Sequence, residues 1–137
     1  MLYVVEVVVL RRTAERGAAA VEFALVLPVL LVLVLGIAEF GRVFNVQTML
    51  SQAAREGARS MALSNSTTSA RSAVKNAAPT LNLTDSQIMV APAACPISST
   101  TAVTNASVTV TYHVGFLTTL FGSGLNVTGK GVMRCNG

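Results

Sequence analysis

A chain of 137 residues that is 52% hydrophobic, with a mean hydropathy of +0.60, is too apolar for an ordinary soluble domain and long enough for one small domain plus an anchor. Its net charge of +4 and pI of about 9.7 suggest a nucleic-acid binder only until the cations are placed. Arg11, Arg12 and Arg16 cluster before an apolar run, Arg42, Arg55, Arg59, Arg71 and Lys75 are spaced along predicted helices, and beyond Asn76 only Asp85, Lys130 and Arg134 are charged. No basic stripe with interleaved aromatics results, which excludes nucleic acid as the primary ligand.

The apolar excess is concentrated between Ala18 and Ala38, the length that a bilayer-spanning helix needs, with one charge, Glu22, near its start. Pro28 lies inside it, a residue better tolerated in membrane helices than in soluble ones. Three arginines before the span against Glu39 and Arg42 after it predict a cytoplasmic N-terminus and an exported C-terminal part. The apolar core exceeds that of a cleaved secretory signal and runs into Gly36-Ile37-Ala38-Glu39-Phe40 without a small-residue cleavage pattern. A carboxylate within such a segment is costly, so Glu22 is a candidate functional residue.

The residues around it carry more. Arg16-Gly17-Ala18 ends a basic leader, and Glu22-Phe23 follows at the spacing of a prepilin peptidase site. The pattern continues through GAAAVEFALVLPVLLVLVLGIAEFGR and ends in Ala53-Ala54-Arg55-Glu56-Gly57-Ala58-Arg59. Over Arg16 to Arg59 the sequence resembles the TadE-like proteins of the Tad (Flp-type IV) tight-adherence pilus. The resemblance implies cleavage between Gly17 and Ala18 by a prepilin peptidase. It also implies assembly through Glu22 and Phe23, with other pilin or pseudopilin subunits and the Tad inner-membrane platform as partners. A new α-ammonium at Ala18 and the Glu22 carboxylate are each costly near hydrocarbon, and pairing them removes much of that cost. One departure is the apolar stretch Met1 to Leu10, which contains Glu6 and is too short to span; a translation start near Val9 or Leu10 is the expectation.

Beyond the membrane the helical pattern continues through Ile37, Phe40, Phe44, Met49 or Leu50, Ala53, Gly57 and Met61. Ala54, Ala58 and Ala62, beside Ala53 and Gly57, form a small-residue face suited to close packing of the chain's own C-terminal domain or of a partner. Ser64 to Ser69 reads as a linker. A short helix follows, with Ala70, Ala73, Val74, Ala77 and Ala78 on one face and Pro79 at its end. Strands are predicted at Gln87 to Val90, at Ser107 to Val114 with clean alternation, and more weakly at Leu125 to Met133, interrupted by Gly129 and Gly131.

The expected fold is therefore α+β and pilin-like: a long transmembrane and stalk helix, a short helix and a small antiparallel sheet. Its divisions are a leader at 1–17, a TadE-like helix at 18–63, a linker at 64–69 and an exported domain at 70–137. Cys95 and Cys135, both on the exported side, are disulfide candidates closing a loop of about 40 residues. In a plain meander the outer strands are too far apart for a bridge unless the loop after the first one reaches across.

Chemistry finds little purchase. His113 falls opposite the apolar face of its strand, Asp85 is the sole aspartate, and no catalytic set, metal cluster or cofactor site can be assembled. Gly122-Ser123-Gly124 is too short for a phosphate loop. Four Asn-x-Ser/Thr matches, at Asn65, Asn82, Asn105 and Asn126, arise readily in so Ser/Thr/Asn-rich a tail. Two functional readings follow, neither an enzyme. One is a minor pilin or pseudopilin in the bacterial inner membrane, used in adhesion or biofilm formation. The other is an uncleaved membrane-anchored binding protein of the envelope.

Overall fold

A computed structural model describes the backbone of residues 2–96 and 104–135, and the side chains from residue 17 onward within those ranges. The side chains of the Met1 to Leu10 stretch and of the leader arginines lie outside the described residues. The chain divides into two compact units, Met1–Phe40 and Gly41–Gly137. Helix α1 (Leu2–Ser64) supplies the described part of the first and the opening of the second.

In the first unit the helix runs on through Pro28. Every side chain from 17 to 35 is exposed, including Phe23, Leu25, Val29 and Leu31. An apolar surface on all sides of a helix is stable only when something apolar surrounds it. By length and composition this helix can cross a membrane.

The second unit is a three-stranded sheet laid against the rest of α1 and a second helix. α1 ends at Asn65, which takes the left-handed conformation (φ 49°) and donates its N–H to the Met61 carbonyl at 2.9 Å. Asn tolerates this conformation better than most residues, so it serves as a helix stop. Helix α2 (Thr67–Ala77) begins almost at once, because the Ser66 hydroxyl accepts the Ser69 N–H at 3.3 Å and caps it. The polar run from Ser64 to Ser69 thus holds a helix stop and a helix start. Strands β1 (Ile88–Ala91), β2 (Asn105–Gly115) and β3 (Gly124–Arg134) form an antiparallel meander in the order β1-β2-β3.

Alternation decides the inner face. Ile88, Ala106, Val108, Val110, Val114 and Val127 are buried, while Thr111, His113, Asn126 and Lys130 face outward. On α1 the buried stripe is Val46, Leu50, Ala53, Ala54, Gly57, Ala58 and Met61. This corrects the expected series: Ile37, Phe40 and Phe44 are exposed. The step from Phe44 to Met49 or Leu50 is longer than one helical turn, so the two halves of that series lie on different faces. The small-residue face packs against the chain's own sheet and α2.

The sheet order leaves β2 between β1 and β3, so a bridge cannot run from strand to strand. The segment after β1 reaches across instead. Cys95 and Cys135 are joined, with Cα atoms 5.5 Å apart, and the Cys135 N–H donates to the Thr104 carbonyl at 2.9 Å. Asn65 holds the same segment: its side-chain carbonyl accepts the Cys95 N–H, and its amide donates to the Cys95 carbonyl at 3.3 Å. Met61, Ala70, Cys95 and Ala106 form a small buried cluster beneath the bridge.

One ion pair ties α2 to the turn before β1. Lys75 Nζ lies 2.8 Å from Asp85 Oδ1, with both side chains largely in solvent. The hydrogen bond from Lys75 and its charge hold the Asp85 carboxyl below its ordinary value of 3.8, with Arg71 adding a smaller push in the same direction. A lowered carboxylate stabilises the fold above the ordinary value and loses that contribution as pH falls through the folded one. Thermal melts of the native chain and of Lys75→Gln should therefore differ slightly near neutrality and converge as pH drops below 3.8. A gap that persists in acid would mean that Lys75 acts through packing.

Candidate functional site

The residues singled out for processing and assembly lie together at the start of the apolar segment. Gly17, Ala18, Glu22 and Phe23 are all helical and all exposed, and a Cβ built on Gly17 would meet nothing within 4 Å. Ala18 and Glu22 stand one helical turn apart on the same face. Glu22 is thus close to the atom that would become the α-ammonium on cleavage after Gly17, and Phe23 is 64% exposed beside it.

The second constellation is the close fit of α1 on the sheet. A Cβ on Gly129 would overlap the Leu50 carbonyl and come within 2.7 Å of the Ser51 nitrogen; one on Gly131 would overlap the Ala54 carbonyl and come within 2.5 Å of the Arg55 nitrogen. These glycines, read from sequence as interruptions of a strand, let the helix backbone approach the sheet directly. Gln47 Nε2 donates to the Thr128 carbonyl at 3.0 Å, and Arg42 Nη1 to the Gly115 carbonyl at 3.0 Å. β3 therefore runs parallel to α1, with the β2–β3 hairpin beside the beginning of the unit and the disulfide beside the end of α1.

Other candidates resolve into structural roles. The His113 ring, through Nδ1, hydrogen-bonds Asn126 Oδ1 at 2.9 Å across the outer face of the sheet. Gly122 (φ 101°) and Gly124 (φ 143°) shape the hairpin, and a Cβ on Gly124 would strike the Val114 carbonyl. Among the described residues no group of three or more His, Cys, Asp or Glu is placed to hold a metal ion. Sequence reasoning missed Asn65 as a clamp, although an Asn just past a helix is a recognisable stop signal. It also missed the burial of Glu39, which is 3% exposed; nothing in the local pattern signals that.

A long apolar helix, a short helix and a three-stranded antiparallel sheet make an α+β, pilin-like fold. Residues 17–59 match the family model described as TadE-like protein. That segment of the chain, from the exposed glycine through the part of α1 that packs on the sheet, is TadE-like. No curated protein and no solved structure matches the chain.

Proposed function

We propose that this chain is a minor pilin or pseudopilin of a Tad pilus system, cut after Gly17 by a prepilin peptidase and working by helix packing. The observation that carries the reading is the first two turns of the apolar segment. They present Gly17, Ala18, Glu22 and Phe23 uncovered, within the TadE-like match, on a helix whose apolar surface the chain itself leaves bare.

In this reading residues 1–17 are a cytoplasmic leader, 18–63 an anchor and stalk, and 70–137 an exported domain beyond the Ser64 to Ser69 stretch. The protein sits once through the bacterial inner membrane with its C-terminal part on the periplasmic side. A disulfide in the head agrees with an oxidising compartment. Partners are other pilin subunits and the inner-membrane assembly platform, and adhesion or biofilm formation is the outcome served. Once cleaved, the Ala18 ammonium and a Glu22 carboxylate from the same or a staggered neighbouring subunit neutralise each other in an apolar setting, which fixes the axial register.

Expression with and without a prepilin peptidase, followed by N-terminal sequencing, tests this directly. A chain beginning at Ala18 only when the peptidase is present is the expected result. An intact leader in its presence defeats the reading and favours an uncleaved anchored binding protein. Glu22→Ala should be cut normally yet fail to support piliation; normal piliation in that variant removes Glu22 from the mechanism.

A further inference from the structure

The β2–β3 hairpin ends in a loop that is apolar and uncovered. From Gly115 to Leu125 the sequence GFLTTLFGSGL contains no charged residue. Leu117 is 72% exposed, Leu120 66%, and Phe121 and Leu125 are also open. Exposed apolar side chains occur elsewhere on this unit, but Leu63 and Met133, for example, line a shallow depression with Arg59. At the base of the hairpin loop the Arg42 guanidinium holds the Gly115 carbonyl.

The height of the loop along the helix follows from two contacts and two rises. Gly131 lies on Ala54 and Gly129 on Leu50. Two strand residues, about 6.6 Å, thus match four helical residues, about 6 Å. Gly124, five residues before Gly129, lies about 16 Å further down. The Arg42–Gly115 bond independently places that end of the hairpin beside the first turn of the unit. Arg42 is in turn only four residues from Ala38, where the apolar segment ends, so at most about 14 Å of chain separates them however the units are disposed.

We propose that the β2–β3 loop, through Leu117, Leu120 and Phe121, sits in the headgroup layer of the membrane that the apolar part of α1 crosses. Aliphatic and aromatic side chains are stabilised there, and Arg42 beside them suits lipid phosphate. The inference rests on the reading that residues 18–38 span a bilayer. Its consequence is a head held down on the membrane at two points, the anchor and the hairpin, which would have to be peeled off before the subunit moved into a filament.

The chain contains no tryptophan, so a single introduced one reports its own surroundings. The full chain carrying Leu120→Trp is reconstituted, disulfide intact, into phosphatidylcholine–phosphatidylglycerol vesicles with and without acyl chains brominated near the headgroup. Leu117→Trp serves as a second loop position, Lys130→Trp marks the outer sheet face, and Val29→Trp marks the span, with deeply brominated lipid as its quencher. Loop emission should shift to the blue and fall in brominated vesicles at every protein-to-lipid ratio, while Lys130→Trp stays red-shifted and is quenched by acrylamide. Loop probes that behave like Lys130→Trp overturn the proposal while leaving the anchor intact, provided Val29→Trp is quenched. Shielding from acrylamide without bromine quenching, or only at high protein density, overturns it in favour of contact with a second copy. If Val29→Trp itself escapes quenching, the membrane reading fails and the loop proposal falls with it.

Discussion

Gly131→Ala is expected to destabilise the head by about 3 kcal/mol, the upper end of what overpacking usually costs. The added Cβ would overlap the Ala54 carbonyl and press on the Arg55 nitrogen, all backbone atoms of a helix whose hydrogen bonds resist local movement. A side chain in the way can change rotamer; a helical carbonyl cannot. The relief available is a shift of α1 away from β3, and this would loosen Leu50, Ala53, Ala54 and Ala58, all fully buried. Denaturant melts of the detergent-solubilised chain measure the loss. Lys130→Ala, one residue away on the exposed face, should change stability by no more than about 0.5 kcal/mol. Gly129→Ala should resemble Gly131→Ala, and the double variant should cost less than the sum, since one helix displacement relieves both overlaps. A Gly131→Ala chain that melts with the native one would mean that the helix is not seated directly on the strand.

These glycines show where sequence reading succeeds and where it stops. Hydropathy is a property of consecutive residues, so the span from Ala18 to Ala38 could be placed without a fold. Alternation along Val108, Val110 and Val114 is equally local, and β2 follows it. A glycine in a strand, by contrast, has two opposite meanings, a weakness in the ladder or a place where another backbone touches, and only the partner distinguishes them. The expected helix face departs from the buried one at Ile37, Phe40 and Phe44 for a related reason. Several stripes satisfy three- and four-residue spacing, and the sheet selects the one through Val46 and Leu50. In the candidate site, the grouping of Gly17, Ala18, Glu22 and Phe23 needed only the helical repeat. The hairpin's position beside Arg42 needed the register of three elements, and no pattern within the loop contains it.

Replacing both cysteines, Cys95→Ala with Cys135→Ala, should remove about 4 kcal/mol, the chain-entropy value for a loop of this size. The bridge spans 40 positions in sequence, and small domains have only about 5–15 kcal/mol in all, so the loss is a large part of the total. It should also be uneven. The bridge lies at the end of the unit where α1 stops, over Met61, Ala70 and Ala106, and there it acts together with the Asn65 amide on the segment after β1. The opposite end is tied independently by the Arg42–Gly115 bond and by the seating of Gly129 on Leu50. Hydrogen exchange should accordingly speed up at the Cys135 and Asn65 amides well before it does at β2 residues opposite Gly129. Reducing agent should reproduce the effect in the native chain and leave the double variant unchanged. A single replacement is a poorer test, because the surviving thiol can pair between molecules. Equal melting of bridged and unbridged chains would show that the glycine-mediated contact suffices alone. The expected loss instead makes the head's stability depend on oxidation: the domain would reach full strength only where disulfides form.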